Sequence, residues 1–276
     1  MVQRKPRYPR FSITRMKSLH NHLVTKIIKE AKLYLHENGE LCENKQWQSS
    51  DVEMGMYEVL DLSLATQIPW MNYDDTEDFE KLAELCKAQM PWALVHLKER
   101  LSGFPYNPGQ TFKQWRYYKH KPSDDKFRED EQFSHTYMER FWPKEANKNI
   151  NKGIRYSLGD VDDIVNLLKW DSTSRQAYLP VYFPEDTGLS HREKGARVPC
   201  TIGYHFLIRK GQIHCTYHIR SCDALRHFND DIFLAMGLAL FIMKSVDRSL
   251  KPGWLKMHIG SFHCFYGEKE ILKVAK

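Results

Sequence analysis

Residues 199–223 read PCTIGYHFLIRKGQIHCTYHIRSCD, and the fold is decided there. Two runs rich in β-branched and aromatic residues, Cys200–Ile208 and Gln212–Arg220, flank the short polar segment Arg209-Lys210-Gly211. That arrangement predicts a β-hairpin. In the second run Ile213, Cys215, Tyr217 and Ile219 alternate with His214, Thr216, His218 and Arg220. A period of two puts the first set on one sheet face and the second on the other. The apolar face must be covered. The next segments supply an apolar helix over Asp230–Val246 and a further strand over Trp254–Tyr266. Strands with interleaved helices give an α/β or α+β domain, a mixed β-sheet flanked by helices.

Upstream, His20–Leu35 carries Leu23, Ile27, Ile28, Ala31 and Leu35 at helical spacing. The pattern of Met54–Ile68 also predicts a helix, and Asp74–Lys98 predicts two helices broken at Pro91. Gly103–Ile150 is a long irregular stretch with four prolines and a charged tip at Lys119–Gln132. A loop of that length in a compact domain signals function or insertion. Asp160–Lys169 reads as a short helix with acids at its positive end, Ala177–Phe183 as a strand, and Gly188–Arg197 as a polar loop. No internal repeat is visible.

Bulk composition narrows the function classes. The 276 residues are 42% hydrophobic and 28% charged, which excludes disordered and collagen-like classes. Forty-one basic against 35 acidic residues give +6. Arg4, Lys5, Arg7, Arg10, Arg15 and Lys17, with no acid among residues 1–20, account for all of it. A neutral body excludes a protein that coats nucleic acid along its length and leaves a basic arm over residues 1–20. The longest apolar run, Ile232–Met243, falls short of the about 20 residues that cross a bilayer. The basic N-terminus lacks the apolar stretch of a secretory signal, so no membrane contact is expected. Cysteines 42, 86, 200, 215, 222 and 264 contain no CxxC pair, so reduced thiols and a cytoplasmic location are expected. His214 and His218 share a strand face, but their separation of ~13 Å cannot close on one ion. No metal is expected.

Some single positions admit two readings. Cys200 opens a strand after a loop, where Arg197 would favour a thiolate; it reads equally as a small buried hydrophobe, as does Cys215. Arg220 with Ser221 suits a phosphate through charge-assisted bonds, and equally a salt bridge to Asp223.

The constellation is more specific. Pro199-Cys200, a hairpin, and Arg220-Ser221-Cys222-Asp223 twenty residues beyond the cysteine resemble the thymidylate synthase family. Phe133-Ser134-His135-Thr136-Tyr137-Met138-Glu139-Arg140 resembles its tyrosine segment, with Met138 in place of Gly. Asp171-Ser172-Thr173-Ser174-Arg175-Gln176 resembles its arginine turn, with Gln176 in place of a second Arg. Gly260-Ser261-Phe262-His263-Cys264-Phe265 resembles its late strand, with Phe265 in place of Tyr. The likeness covers about residues 130–267 of a catalytic domain expected over 21–276.

The resemblance implies a thymidylate-synthase-like fold whose sheet face forms a homodimer interface with shared active sites. It implies Cys200 as the nucleophile on C6 of a pyrimidine nucleoside monophosphate, with 5,10-methylenetetrahydrofolate as one-carbon co-substrate. Arg220 and Ser221 would bind the 5′-phosphate, Arg175 would reach the phosphate of the other subunit, and one of Arg4, Arg7, Arg10 or Arg15 would add to it. Asp223 would approach the folate, Tyr137 would assist proton removal from C5, and His263 would contact the sugar. Glu99 is the candidate general acid–base, or else a surface acid at a helix end. The basic excess then serves a nucleotide phosphate, and nucleic acid drops out of the expected partners.

One departure concerns base selection. Eleven residues after Arg220 the family places Asn; this chain has Asp231. A carboxylate accepts from the 4-amino group of cytosine and repels O4 of uracil, with one shared proton completing the pair. The deoxycytidylate (dCMP) hydroxymethylase branch, found in phages, carries Asp here, which would make the location a host cytoplasm. The other reading of Asp231 is an acid beside the helix dipole. The resemblance therefore implies hydroxymethylation of dCMP at C5. A thymidylate synthase or a dUMP hydroxymethylase is the near alternative, and a non-catalytic nucleic-acid or replication-complex binding protein the distant one. The chain runs ten residues past Tyr266, without the further helices and tail usual in thymidylate synthases, which is compatible with entry of water.

Overall fold

A computed structural model describes residues 18–42, 55–71, 73–116, 128–129, 132–146, 159–187 and 198–274. The N-terminal arginines, most of the charged tip and the polar loop over 188–197 lie outside these residues.

The predicted hairpin is the centre of the sheet. Strands β7 (Thr201–Arg209) and β8 (Gln212–Asp223) pair antiparallel. Lys210 and Gly211 turn the chain with φ of 51° and 69°, positive at both positions as a two-residue hairpin demands. Strand β9 (Lys251–Phe265) runs parallel to β8, so a crossover must join them. Helix α7 (Phe228–Val246) is that crossover, and Ile232–Leu240 is buried on every side, as its unbroken apolar sequence requires.

The sheet then extends both ways. β3 (Met56–Gln67) pairs antiparallel with β9, and β1 (Ser18–Asn21) runs parallel to β3. β2 (Glu40–Cys42) also pairs with β3, and β6 (Tyr178–Pro180) closes the far edge beside β7. Among the described residues the result is one mixed seven-stranded sheet, with a separate two-stranded ribbon of β4 (Arg128–Glu129) and β5 (Gln132–Phe133). Residues 18–20, read above as the end of the arm, belong to β1.

The helix expected over Met54–Ile68 is instead strand β3. Leu62, Ser63, Leu64, Ala65 and Thr66 are all buried, because neighbours cover both faces of this half of the strand. A strand buried on both faces loses its alternation and reads like a helix. The other helices fall where periodicity put them: α1 (Val24–Asn38), α2 (Thr76–Cys86), α3 (Trp92–Arg100) and α6 (Val161–Trp170). Asp160 and Asp163 close a reciprocal capping box on α6. Short helices α4 (Tyr137–Phe141), α5 (Pro143–Ala146) and α8 (Ile271–Val274) complete the set.

α1, α2, α3, α6 and α7 share one hydrophobic core with Leu62, Leu64, Tyr204, Phe206, Tyr217 and Ile259 on the inner sheet face. The opposite face carries His205, His214, His218 and His258, all half-buried, with His218 stacked on His258 at 5.2 Å.

β8 and β9 approach closely where the site begins. A Cβ on Gly260 would sit 2.8 Å from the carbonyl oxygen of Arg220. Only glycine permits this backbone contact. We predict that Gly260→Ala costs about 1–3 kcal/mol through overpacking. A thermal melt within about 1 °C of the parent, where a loss of several degrees is expected, would refute the contact.

Candidate active site

Cys200 stands immediately before β7 and is half-buried. Its segment is fixed by the strand next door. The Arg220 N–H donates to the Cys200 carbonyl at 2.8 Å, Arg220 Nε to that of Pro199 at 2.9 Å, and Nη2 to that of Val198 at 3.2 Å. Arg220 Nη1 makes no bond among the described residues, and the side chain is exposed, so it can still meet an anion. Arg220 therefore binds the Cys200 segment and does not form the salt bridge to Asp223 that its sequence allowed.

Tyr137 is placed by the start of α4. Thr136 and Glu139 form a capping box there, the Thr136 N–H donating to Glu139 Oε2 at 2.8 Å. Arg140 anchors the helix by a double bond to the Asp186 carboxylate, both contacts at 2.8 Å, with its guanidinium over the Phe183 ring. Tyr137 Oη accepts from Thr201 Oγ1 at 3.2 Å, and Thr201 Oγ1 lies 2.8 Å from Tyr217 Oη. With Thr201 donating forward, Tyr217 donates to Thr201. The Tyr137 proton is then free to point into the site. Burial, with the Cys200 charge adding to it, pushes the Tyr137 hydroxyl up to about 12, so it works as a neutral hydroxyl.

Asp231 lies in the first turn of α7, its N–H bonded to the His227 carbonyl at 2.8 Å. Its side chain accepts from Cys222 Sγ at 3.6 Å and caps no backbone N–H among the described residues. Burial drives its carboxyl up to about 7, while the nearby Arg100 charge pulls it down. Asp230, its neighbour, accepts the Gln89 N–H at 2.7 Å and is pushed up by burial to about 6. Tyr137, Cys200, Ser221 and Asp231 are each partly open to solvent although core residues surround them. Thr201, next to Cys200, bonds Tyr137, and the Cys200 and Asp231 charges both act on the Tyr137 hydroxyl.

Glu99 is at the end of α3, and its carboxylate is occupied. Oε1 accepts from the N–H of Gln110 at 2.5 Å and of Thr111 at 3.2 Å, and Oε2 accepts from Thr111 Oγ1 at 2.5 Å. Burial pushes the Glu99 carboxyl up, but bonds from His96, Thr111 and Gln110 outweigh it and hold it below the ordinary range. In this arrangement Glu99 fastens the 110–111 segment.

Asp223 ends β8. Oδ1 accepts the N–H groups of Leu225 and Arg226, both at 2.9 Å, and Oδ2 accepts Arg226 Nη1 at 2.9 Å. Arg226 also binds Glu268. His263 pairs with Asp223 across the β8–β9 ladder. Its Nδ1 is buried without a partner among the described residues, and burial lowers its basicity, so a neutral ring faces an unmet hydrogen bond. Ser221 is half-buried opposite Ser261. Arg175 is set apart from this group. It is exposed, and its carbonyl receives His205 Nε2 at 3.0 Å from the outer sheet face.

The sequence pointed to Cys200, Tyr137, Arg220 and Asp231 and missed Arg100. Its guanidinium stacks on the Tyr137 ring at 4.0 Å. The available signal was the row Trp92, His96, Arg100 at intervals of four on α3, of which Trp92 and Arg100 are buried and His96 half-buried. Thr201 and Tyr217 were also missed as a hydroxyl chain, because inward-facing strand positions read as core.

A cysteine at the start of β7 and a tyrosine from α4 bonded to the next residue, on a mixed sheet crossed by a buried helix, form the arrangement that the family resemblance implies. The family model described as "Thymidylate synthase" matches residues 108–274, more than half of the chain. This chain belongs to the thymidylate synthase family. A protein named "Putative thymidylate synthase" from Methanocaldococcus jannaschii is 30% identical over 135 residues, 48% of this chain and 56% of that one. The chain thus spans little more than half the length of that relative. The solved structure of thermostable thymidylate synthase A from Bacillus subtilis shares the fold at a TM-score of 0.62 and 16% identity, covering 91% of this chain and 83% of that one. The expected fold class is therefore the observed one. No helix among the described residues is long and apolar enough to cross a membrane.

We predict that Asp186→Asn, which leaves the buried Arg140 charge unpaired, lowers stability by about 3–5 kcal/mol. Urea unfolding monitored by tryptophan fluorescence checks it, and an unchanged midpoint would discount the pair as the anchor of α4.

Proposed function

We propose that this protein converts dCMP to 5-hydroxymethyl-dCMP, with 5,10-methylenetetrahydrofolate as one-carbon donor and water as the source of the hydroxyl. The carrying observation is Asp231, a half-buried carboxyl in the first turn of α7 that accepts from Cys222, acts on the Tyr137 hydroxyl and is raised by burial to about 7. A cytosine pair needs one proton shared between N3 and the carboxyl, and this group holds or yields one at neutral pH. Its side chain caps no backbone N–H among the described residues, which disfavours the alternative in which it merely serves the helix end.

In this mechanism the Cys200 thiolate adds to C6, forming the S–C6 bond. The electron pair of the C5–C6 bond moves toward N3, where Asp231 delivers a proton. C5 becomes nucleophilic and forms a bond to the one-carbon unit. The Tyr137 hydroxyl, backed by Thr201 and Tyr217, passes the C5 proton to solvent. Loss of that proton breaks the bond from the one-carbon unit to tetrahydrofolate, which departs and leaves an exocyclic methylene; water adds there, and expulsion of the Cys200 sulfur, with return of the N3 proton to Asp231, restores the ring. Arg220, through its unused Nη1, and Ser221 hold the 5′-phosphate, and His263 Nδ1 meets a sugar hydroxyl.

The folate donor supplies a one-carbon unit at the oxidation level of formaldehyde. Asp223 fits its pterin amino group. Three of the roughly four lone-pair sites of that carboxylate are used, leaving one acceptor. Glu99 acts here by holding the 110–111 segment in place. A homodimer through the outer sheet face is part of the proposal. Arg175 sits at that face, clear of its own recess, where it can reach a partner's phosphate.

The test uses nucleotide tritiated at C5 with methylenetetrahydrofolate. We expect tritium release from dCMP and a product heavier by one hydroxymethyl group. Release from dUMP alone would overturn cytosine specificity, and a methylated product with dihydrofolate would overturn the water step. Cys200→Ala should abolish release, and Asp231→Asn should shift preference toward dUMP by about tenfold or more, as expected for a changed polar contact to the base.

A further inference from the structure

The mechanism above does not use Arg100, although it is among the most buried charges in the described protein, at 6% exposed. It ends α3, and its guanidinium lies over the Tyr137 ring, 4.0 Å from the centroid. The next ring on α4, that of Phe141, is 6.0 Å away. Trp142 Nε1 donates to the Arg100 carbonyl at 2.8 Å, so backbone as well as side chain ties the last turn of α3 to α4. Arg100 Nε donates to His96 Nε2 at 3.0 Å, and neither Nη has a hydrogen-bond partner among the described residues.

The guanidinium is held from behind. His96 stacks on Trp92 at 4.8 Å. Its Nε2 accepts from Arg100, so the ring is neutral with its proton on Nδ1. Burial, reinforced by the Arg100 charge, holds His96 down to about 4, in keeping with a neutral ring. Nδ1 lies 3.5 Å from Glu99 Oε2, an approach longer than a formed hydrogen bond. Glu99 is held in turn by the Gln110 N–H and the Thr111 hydroxyl. A Cβ on Gly109 would meet Glu99 Oε2 at 2.6 Å and Met138 Cε at 2.8 Å, so the 109–111 segment closes on Glu99 and on the residue after Tyr137 alike. Thr111, Glu99, His96 and Arg100 form a line that ends on the face of Tyr137.

The contact matters because of how a phenol donates. The bond from Thr201 Oγ1 fixes the position of Tyr137 Oη at 3.2 Å. It does not fix the ring plane, since χ2 of a tyrosine is a soft torsion whose axis runs through Oη. The phenol O–H prefers the ring plane, where the oxygen lone pair conjugates with the ring. The plane therefore decides the direction in which Tyr137 donates its proton. A planar cation stacked on the ring face sets that plane, and the compact ammonium of a lysine cannot. A buried guanidinium without a counter-ion in contact is costly, and the negative face of the ring is what offsets the cost.

We propose that Arg100 is a positioning residue for Tyr137: stacked on the ring, it fixes the ring plane and aims the Tyr137 O–H along the path by which the C5 proton leaves. The proposal rests on the proton-transfer role of Tyr137 given above. The Tyr137 oxygen takes the C5 proton as it releases its own to water, and Arg100 neither gains nor loses one. Burial raises the Tyr137 hydroxyl, and the Arg100 charge pulls against it, so the proton leaves more readily than burial alone would allow.

Two measurements test this. The first needs no nucleotide. In protein with isotope-labelled tyrosine rings, the Tyr137 signals are identified by their loss in Tyr137→Phe. We expect separate NMR signals for the two edges of the parent ring, and one averaged signal in Arg100→Met and Arg100→Lys, since neither offers a plane. A parent ring that already averages, or edges that stay separate in every variant that folds, overturns the clamp. The second is a double-mutant cycle on tritium release from C5-labelled dCMP with methylenetetrahydrofolate. Arg100→Met should lower kcat by about 10–100-fold, the cost of a misaimed group, with dCMP affinity, read by calorimetry, within about twofold of the parent. In the Tyr137→Phe background, which has no hydroxyl to aim, the same substitution should change the rate by less than about twofold. Effects that multiply in the double variant, or a loss confined to dCMP affinity, overturn the positioning role. Release that Tyr137→Phe does not slow, or a parent that releases no tritium from dCMP or dUMP, sinks the reaction given above, and the ring signals then still decide whether Arg100 sets the plane of Tyr137.

Discussion

The bonds from Arg220 to the carbonyls of residues 198–200 are the constraint on which the site depends. One side chain and one N–H on β8 hold the segment that carries Cys200. Two carbonyl dipoles, of residues 198 and 199, converge on the guanidinium, and each such charge-assisted bond is worth more than a neutral one. The strand carrying Arg220 must itself be immobile. It is, because β7 and β9 pair on its two sides and Gly260 lets β9 close against the Arg220 carbonyl. The crossover helix follows from the parallel pairing of β8 and β9, and its first turn delivers Asp231. Cys200, Arg220 and Asp231 are therefore all placed by one strand's register.

Much of this was legible in residues 199–223, since a half-buried hairpin with period two reveals its own faces. β3 was not. Once Leu62–Thr66 is covered on both sides, hydrophobicity no longer reports which face is which, and a central strand resembles a helix. The site divides in the same way. Cys200, Arg220, Ser221, Asp223 and Asp231 became candidates through the resemblance of their order and spacing to the family's motifs. Arg100 was invisible because a basic residue at a helix C-terminus ordinarily faces water and the dipole. What makes it different is burial under Tyr137, a contact between α3 and α4 that no local pattern encodes.

Glu99 illustrates how a correct segment can yield two different roles. Both residues at the end of α3 are charged and buried, and only their directions separate them. Glu99 turns to the 110–111 backbone, which offers it three donors. Arg100 turns inward, where His96 offers a single acceptor and an aromatic face takes the rest. A carboxylate holding three donors is a fastener, whereas a guanidinium laid over an aromatic face is a source of field.

Burial and charge oppose one another throughout the recess. Burial raises Tyr137, Tyr204, Tyr217, Cys222 and Asp231 toward their neutral forms. Left to burial alone, the recess would hold no ionised acid and could neither pull a proton from a base nor return one. A single fixed cation changes this most for the group whose ordinary range is nearest to neutral after burial. The phenols and the thiol start too high for one charge to ionise them. Asp231 starts low, is lifted to about 7, and so remains within reach of Arg100. Asp230 is set the same way, lifted by burial to about 6 and drawn down by nearby cations, so the two acids that open α7 are the carboxyls here whose charge their surroundings can change.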